Sequence, residues 1–400
     1  MAFTPRSEQS YEAELRGEDG AVEAPPPVRN GIDVLEDDDF RVLRNQRVAL
    51  VTNQSGVTLD GRRSIDALAA NEDVFLAAIF TPEHGLLGAD ADGAAVRDSV
   101  DATTGLPVFS LFGDRDRPES DQLHGIDAVL YDIQDVGCRF YTYIATLGYL
   151  LEACAENGVR IYVLDRPNPL GGNEIEGPSS DPSFESMTNY HALPLRYGMT
   201  IGELARLLNV EREIGANLRI ATLAGWQRDY WQDQTGQTWI DPSPNIRDLD
   251  AAALYPAIGL LEQTNVSVGR GTESPFHVVG APWIDGAALA ARLEKAALPA
   301  VKFEAVTFVP NDKRYPHAGV TCNGVRFVIA ERADFVPTAL GVELIRSLRS
   351  DYRQWEFHKL EGLLARPDLI EAIEDNAPEL EDLWQPDPDF FEIRAKYLLY

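Results

Sequence analysis

Ala128–Tyr143 reads AVLYDIQDVGCRFYTY, an apolar run that stops abruptly at Asp132, Gln134, Asp135 and Arg139, with Tyr141 and Tyr143 following. This is the pattern of a buried strand that delivers polar side chains at its carboxyl end and then turns into a helix. Two other strands end in the same way. Leu76–Phe80 runs into Thr81-Pro82-Glu83-His84-Gly85, and Arg160–Leu164 runs into Asp165-Arg166-Pro167-Asn168. Open α/β sheets bind ligands at the edge where strands stop and helices begin. The three strand ends are therefore expected to converge on one active site.

Outward from this core, Arg47–Thr52 is a β-branched run broken by the turn signal Asn53-Gln54-Ser55-Gly56. Further strands are expected over Val74–Phe80, Leu106–Phe112 and Leu218–Leu223. Helices are expected over Arg62–Ala70, Glu119–Leu123, Tyr141–Asn157 with Gly158 as its cap, and from Thr200 to about Glu213. Such alternation predicts a doubly wound, Rossmann-like parallel sheet with helices on both faces, over residues 31–247. Four hundred residues exceed what one core serves, and the character changes near Asp248. There, helices over Asp250–Gln263, Asp285–Ala297 and Pro337–Arg349 accompany strands at Phe303–Phe308 and Gly324–Ala330, followed by a helical tail. Residues 248–400 are read as a smaller α+β auxiliary domain that completes the cleft. Residues 1–30, acidic and carrying Pro25-Pro26-Pro27, read as a disordered arm.

Sixty-four acidic against 35 basic residues give a net charge of −29, which disfavours nucleic acid and anionic membrane surfaces as partners. Lysine occurs only at positions 295, 302, 313, 359 and 396, so arginine supplies 30 of the 35 basic residues. Acid-rich, lysine-poor surfaces suit salt adaptation as well as an ordinary acidic enzyme. Three scattered cysteines, Cys138, Cys154 and Cys322, suggest reduced thiols rather than a disulfide framework or a zinc site. With no apolar segment of signal-peptide or membrane-spanning character, a cytoplasmic protein is expected. The sequence does not fix an oligomeric state.

Familiar cofactor and nucleophile signatures are missing: no Walker-type phosphate loop, no G-x-G-x-x-G after a strand, no G-x-S-x-G and no H-E-x-x-H. No cofactor is expected, and carboxylate chemistry is left. Glu83, fixed between Pro82 and His84 at a strand end, suits a general acid, while the competing reading is a loop carboxylate that caps a helix or pairs with an arginine. His84 reads as an assisting base or as a structural hydrogen-bonding residue. Asp132, Gln134 and Asp135 suit hydroxyl groups and Arg139 suits a carboxylate; the alternative is an Asp–Arg pair that stiffens the strand end. Metal-assisted hydrolysis through Asp132 and Asp135 is the less economical reading, and no metal is expected. Asp165, Arg166 and Asn168 pose the same choice between ligand and scaffold. Glu176 is a candidate second carboxylate, and Arg270, between Gly269 and Gly271, a candidate anion contact. Trp226, Tyr230, Trp231 and Trp239 in an irregular stretch read equally as sugar platforms or as loop anchors.

With these residues in view, the chain resembles the exo-β-N-acetylmuramidase family of the NamZ type. The resemblance rests on Phe80–Gly85, Asp132–Gly137 with Arg139–Tyr143, Asp165–Pro169, Glu176-Gly177-Pro178, Pro242–Asn245, Thr264-Asn265, Gly269–Thr272, Pro275-Phe276 and Gly280–Trp283. These blocks occur in order over about residues 31–330. The resemblance implies a Rossmann-like domain joined to an auxiliary domain, with a cleft near their junction. It further implies cofactor-free release of N-acetylmuramic acid from the non-reducing end of peptidoglycan fragments. On that basis Glu83 is the leading catalytic carboxylate, assisted by Glu176 or by the substrate's acetamido group. His84, Asp132, Gln134, Asp135, Tyr141, Tyr143, Asp165, Arg166, Asn168, Asn245 and Asn265 would shape the sugar site, and Arg139 or Arg270 would meet the lactyl carboxylate. Two alternatives stand beside it: a non-catalytic glycan-binding protein, and a hydrolase of another N-acetylated or acidic sugar in a salt-adapted organism. The expected partner is a small glycan or muropeptide.

Overall fold

The computed structural model describes residues 26–400. Seven strands form the larger sheet: β1 (Gln46–Thr52), β2 (Val74–Thr81), β3 (Ser99–Val100), β4 (Pro107–Ser110), β5 (Ala128–Asp132), β6 (Arg160–Leu164) and β7 (Leu218–Ala221), in the order β3-β4-β2-β1-β5-β6-β7. All pairings are parallel except the short edge pair of β3 with β4. Every residue of β5 is buried, because a central parallel strand is covered on both faces and reads as continuously apolar. Chain order reverses between β1 and β5. This is the doubly wound, Rossmann-like arrangement expected, and its reversal point lies beside the stretch quoted at the outset.

Helices α1 (Gly31–Asp37), α2 (Ser64–Ala69), α3 (Tyr143–Asn157) and α4 (Ile201–Glu211) cover the sheet. Gly158, at φ 66°, closes α3 in the left-handed conformation that glycine adopts without strain. Thr200 and Glu203 form a reciprocal capping box at the start of α4. The helix expected over Glu119–Leu123 is absent. That segment is a series of turns, too short to nucleate a helix and held instead by local bonds such as the Glu119 N–H to Gln122 Oε1.

Helix α5 (Leu249–Ile258) leads from this unit into the smaller one, where β8 (Val278–Ala281), β9 (Val301–Phe308) and β10 (Cys322–Ile329) make an antiparallel sheet in the order β8-β10-β9. Strand β8 escaped the sequence reading, being four residues without alternation. Helix α6 (Gly286–Lys295) packs on it, α7 (Pro337–Asp351) packs against α5 and α6, and the tail folds into α8 (Glu361–Leu364), α9 (Pro367–Glu374), α10 (Leu380–Leu383) and α11 (Pro388–Ala395). One continuous apolar cluster runs from Val51 and Phe80 through α3 and α5 to β10 and Trp384. The two sheets therefore share a core.

The expectation of a disordered arm over residues 1–30 is corrected at its end. Val28 is buried, its N–H bonds the Thr235 carbonyl at 2.8 Å, Arg29 bridges to Ala224, and Asn30 caps α1. Apolar burial of Val28 against Leu223 and Trp226 supplies what composition hid. Residues 1–25 lie outside the described residues.

Candidate active site

Glu83 follows β2 at a sharp reversal. His84 (φ 72°) and Gly85 (φ 74°) are consecutive left-handed residues, a conformation disfavoured for histidine and concentrated at functional sites. His84 Nδ1 lies 2.9 Å from the Asp90 carbonyl, which stabilises the turn. The turn sets Glu83 on the floor of a cleft of about 280 Å³, bordered also by Asp92, Tyr141, Asn245, Glu262 and Arg270. The Glu83 carboxylate accepts the Gly93 N–H at 2.8 Å and the Thr142 hydroxyl at 2.7 Å. It is fixed by one bond from each wall.

Three carboxylates meet here. Glu262, the first charge after the apolar α5, lies 3.2 Å from the Arg270 guanidinium, and Asp92 lies 3.3 Å from the same group. Asp92 also accepts from Asn245 at 3.0 Å and from the Tyr315 hydroxyl at 2.5 Å. Burial pushes the Glu262 carboxyl up to about 7; Arg270 opposes this, and the negative charges of Asp92 and Glu83 add to it. Arg270 sits between Gly269 (φ 81°) and Gly271 (φ 79°), and a Cβ at position 269 would come within 2.4 Å of the Ser274 carbonyl oxygen. The glycines thus make a tight turn that presents the guanidinium, which stacks 4.6 Å from the Tyr315 ring centroid.

Aromatic rings form the remaining wall. Tyr141 packs against Tyr143 at 4.7 Å between centroids, and Tyr255 against Phe140 and Phe276 at 5.0 and 4.8 Å. The Tyr141 hydroxyl, beside Ser243 and Tyr143, is buried without a well-formed hydrogen bond among the described residues, and a ligand hydroxyl would satisfy it. Tyr143 donates to the Pro242 carbonyl at 2.8 Å and accepts from Asn53 at 3.0 Å, so it buttresses the cleft from behind.

The other strand-end residues named from the sequence lie outside this cleft and are held by protein partners, with Asp135 Oδ1 and Arg139 Nε the buried atoms among them left without one among the described residues. Asp132 binds the Arg166 guanidinium at 2.7 Å and accepts from Ser64. Asp135 accepts the Gly137 N–H at 2.7 Å and the Tyr197 hydroxyl, and burial pushes its carboxyl up to about 6. Asp165 accepts from Thr200, Gly202 and Tyr400 at 2.7–2.8 Å, and burial raises it to about 7. Asn168 donates to the Met199 carbonyl, and Gln134 to those of Asp135 and Pro167. Arg139, 1 % exposed, clamps Asn189 and the carbonyls of Leu363 and Leu364, with burial pulling its pKa down to about 10. It joins the sheet to the carboxyl-terminal tail rather than facing the cleft.

Glu176 does not border the Glu83 cleft. It is ion-paired with Arg196 at 2.5 Å, accepts from the Thr338 hydroxyl at 3.0 Å and lines a different cavity. The Asn265 amide binds the backbone of Gln354 and Glu356, and its own carbonyl lies 2.7 Å from His317 Nε2. Of the aromatics in the irregular stretch, Trp226 packs on Tyr400 at 5.3 Å and Trp231 lies under the Arg196 guanidinium at 5.3 Å, both as anchors. Conversely, Asp92, Glu262 and Tyr255 border the cleft without having been singled out, as does Phe276, named only within a motif, and Tyr315 stands against Asp92 and Arg270. The signal for Glu262 was present, as the first charge after the apolar run Ala251–Leu261; Asp92 sits in a polar loop among several acids and carries none. Among the described residues no group of three or more His, Cys, Asp or Glu side chains is arranged to hold a metal ion, and no helix is long and apolar enough to cross a membrane.

A doubly wound α/β unit sharing a carboxylate- and aromatic-lined cleft with a smaller α+β unit defines the class: an α/β protein with a cleft suited to carbohydrate chemistry. Comparison then specifies it. Residues 48–250 match the description Exo-beta-N-acetylmuramidase NamZ, N-terminal, and residues 253–400 the corresponding C-terminal description. The chain is 39% identical over 385 residues, 94% of its length and 92% of the relative's, to the peptidoglycan beta-N-acetylmuramidase NamZ of Bacillus subtilis (strain 168). Two crystal structures of DUF1343 family proteins from Bacteroides fragilis NCTC 9343 are similar. One has a TM-score of 0.86 and 32% identity, covering 94% of this chain and all of that one; the other has 0.75 and 28%, covering 94% and 99%. The chain belongs to the NamZ exo-β-N-acetylmuramidase family.

Proposed function

We propose that the chain is an exo-acting glycoside hydrolase that releases N-acetylmuramic acid from the non-reducing end of peptidoglycan fragments, with Glu83 as general acid. The observation that carries this is the cleft itself: Glu83 fixed at its floor, Glu262 and Asp92 across from it, and one guanidinium, Arg270, between the two. Family membership supports the reaction class, since the relative from Bacillus subtilis is named for that activity.

In this reading a carboxylic acid protonates the departing glycosidic oxygen while a second group supports the anomeric carbon as positive charge develops there. Glu262 takes the place given to Glu176 as that second group, because it faces the cleft and Glu176 does not. The aromatic wall receives the C–H face of the sugar, and the free Tyr141 hydroxyl meets a ring substituent. Arg270 carries two carboxylates already, so a lactyl carboxylate would displace one of them rather than fill an empty position. The raised Glu262 carboxyl supports a second assignment in which Glu262 donates the proton and Glu83, held by two donors, acts at the anomeric carbon.

The test is release of 4-nitrophenol from 4-nitrophenyl β-N-acetylmuraminide, beside the N-acetylglucosaminide, by wild type and Glu83→Gln at low and high salt. Turnover of the muraminide alone, abolished by the substitution, is expected. Saturable binding without product, indifferent to Glu83→Gln, would make the protein a glycan-binding protein instead.

A further inference from the structure

A second cavity, of about 230 Å³, opens on the same rim and shares no lining residue with the Glu83 cleft. It lies where the sheet order reverses, between the segments that follow β1 and β5. Open α/β sheets take ligands at this position. Its volume is below the roughly 300–1,000 Å³ of sites for drug-sized molecules and suits a single ring.

Its polar atoms show which chemistry it would accept. Gln237 Nε2 donates to the Val28 carbonyl at 2.9 Å and to Asn30 Oδ1 at 2.8 Å. Those acceptors fix the amide, so Gln237 Oε1 faces Gln232 Nε2 at 3.4 Å. Gln232 Oε1, on a side chain only 6 % exposed, is then left with no donor among the described residues. On the opposite wall, Gln134 Nε2 uses both hydrogens on the carbonyls of Asp135 and Pro167, which leaves its own Oε1 with no donor there either. Gln232 Oε1 thus awaits an O–H or N–H donor, since a buried acceptor without a partner is costly enough to be rare, and Gln134 Oε1 is a second acceptor, not itself buried.

Charge narrows the choice. The guanidinium bordering the cavity, Arg166, is held by Asp132 at 2.7 and 3.0 Å and by the Val57 carbonyl at 2.8 Å. Among the described residues no uncompensated cation faces the space, which disfavours phosphates and carboxylates. Trp239, Val57 and Ile240 add apolar wall to the amides. A rigid ring with hydroxyl donors on its edge and C–H groups on its face satisfies all of this.

We propose that this cavity is a second saccharide site that binds one uncharged pyranose of the N-acetylglucosamine type, separate from the cleft at Glu83. It rests on the glycan reading only for the choice of sugar. Binding is measured directly, so a failure to hydrolyse muraminide would count against the catalytic proposal and leave this one standing.

The probe is N-acetylglucosamine, titrated into the full chain with the indole N–H signals followed by NMR and that of Trp239 identified with Trp239→Phe. Saturable movement of the Trp239 signal is expected, with no such movement for N-acetylmuramic acid. Gln232→Leu should weaken binding about tenfold, the equivalent of one hydrogen bond. Val57→Trp, which fills the space, should abolish it while turnover of the muraminide persists. Binding unchanged in both folded variants, or a Trp239 signal indifferent to the sugar, would overturn the proposal. Because the wild-type signal decides by itself, the outcome does not depend on either variant folding.

Discussion

Two parts of one sheet rim carry the same residue types to opposite ends. Beyond β5 and β6, Asp132, Asp135, Asp165, Arg139 and Arg166 are buried and bound to other parts of the chain. Beyond β2, Glu83 meets a cleft, with Glu262 and Asp92 brought to it from distant segments. An acid at a strand end is thus equally able to hold the fold or to hold open a reactive space. What separates the two is whether the chain closes over the carboxylate or leaves it bordering a cleft, as it leaves Glu83 even while Gly93 and Thr142 hold it.

The strongest way to test that contrast is to remove the carboxylate facing the cleft. Glu83→Gln should lower kcat/KM by about 10²–10⁴, the usual contribution of a general acid or base, with the melting temperature nearly unchanged. Glu176→Gln should do the reverse. It leaves Arg196, 2 % exposed, as a buried charge without its partner, a loss of about 3–5 kcal/mol in the unfolding free energy. Urea denaturation would show it, and a selective loss of turnover in a protein of normal stability would return Glu176 to the chemistry.

The pH dependence sharpens the comparison further. The carboxyls of Asp135, Asp165 and Glu262 are raised to about 6, 7 and 7 by burial. The folded chain therefore holds these protons to higher pH than the unfolded chain does, and unfolding releases them. This contribution to stability is fully present below about pH 4, where both states are protonated. It is lost as pH rises to about 7, and flat beyond. Melting temperatures from pH 5 to 8 should show Glu262→Gln gaining on wild type as pH rises. The rate profile assigns the roles: activity that falls above about pH 7 makes Glu262 the proton donor, and activity that rises through pH 7 makes it the partner that must ionise. The smallest effect expected is that of Tyr141→Phe, a few-fold rise in KM for the loss of one hydrogen bond of about 1 kcal/mol, read from initial rates.

The fold was largely legible. Continuous apolar runs such as Ala128–Ile133, each followed by a helical pattern, define a covered parallel sheet, because only a strand buried on both faces lacks alternation. Gly158 and Thr200 marked their helix ends for local reasons of backbone conformation and capping. Short elements failed: four residues of β8 carry too little pattern, and Glu119–Leu123 carried a helical pattern without the length to sustain a helix.

The candidate site was legible only in part. Sequence by itself determined the sheet, the rim on which polar groups gather and Glu83 at its sharp turn, since each follows from neighbours a few residues apart. Only the tertiary structure decided which rim groups are occupied, because Arg139 meets Leu363 and Leu364, and Glu176 meets Thr338, across more than 150 residues of chain. It likewise brought Glu262 and Asp92 to the cleft. Enclosure is a three-dimensional quantity: the same carboxylate is scaffold when distant parts of the chain close over it and a candidate for chemistry when they leave it bordering a cleft.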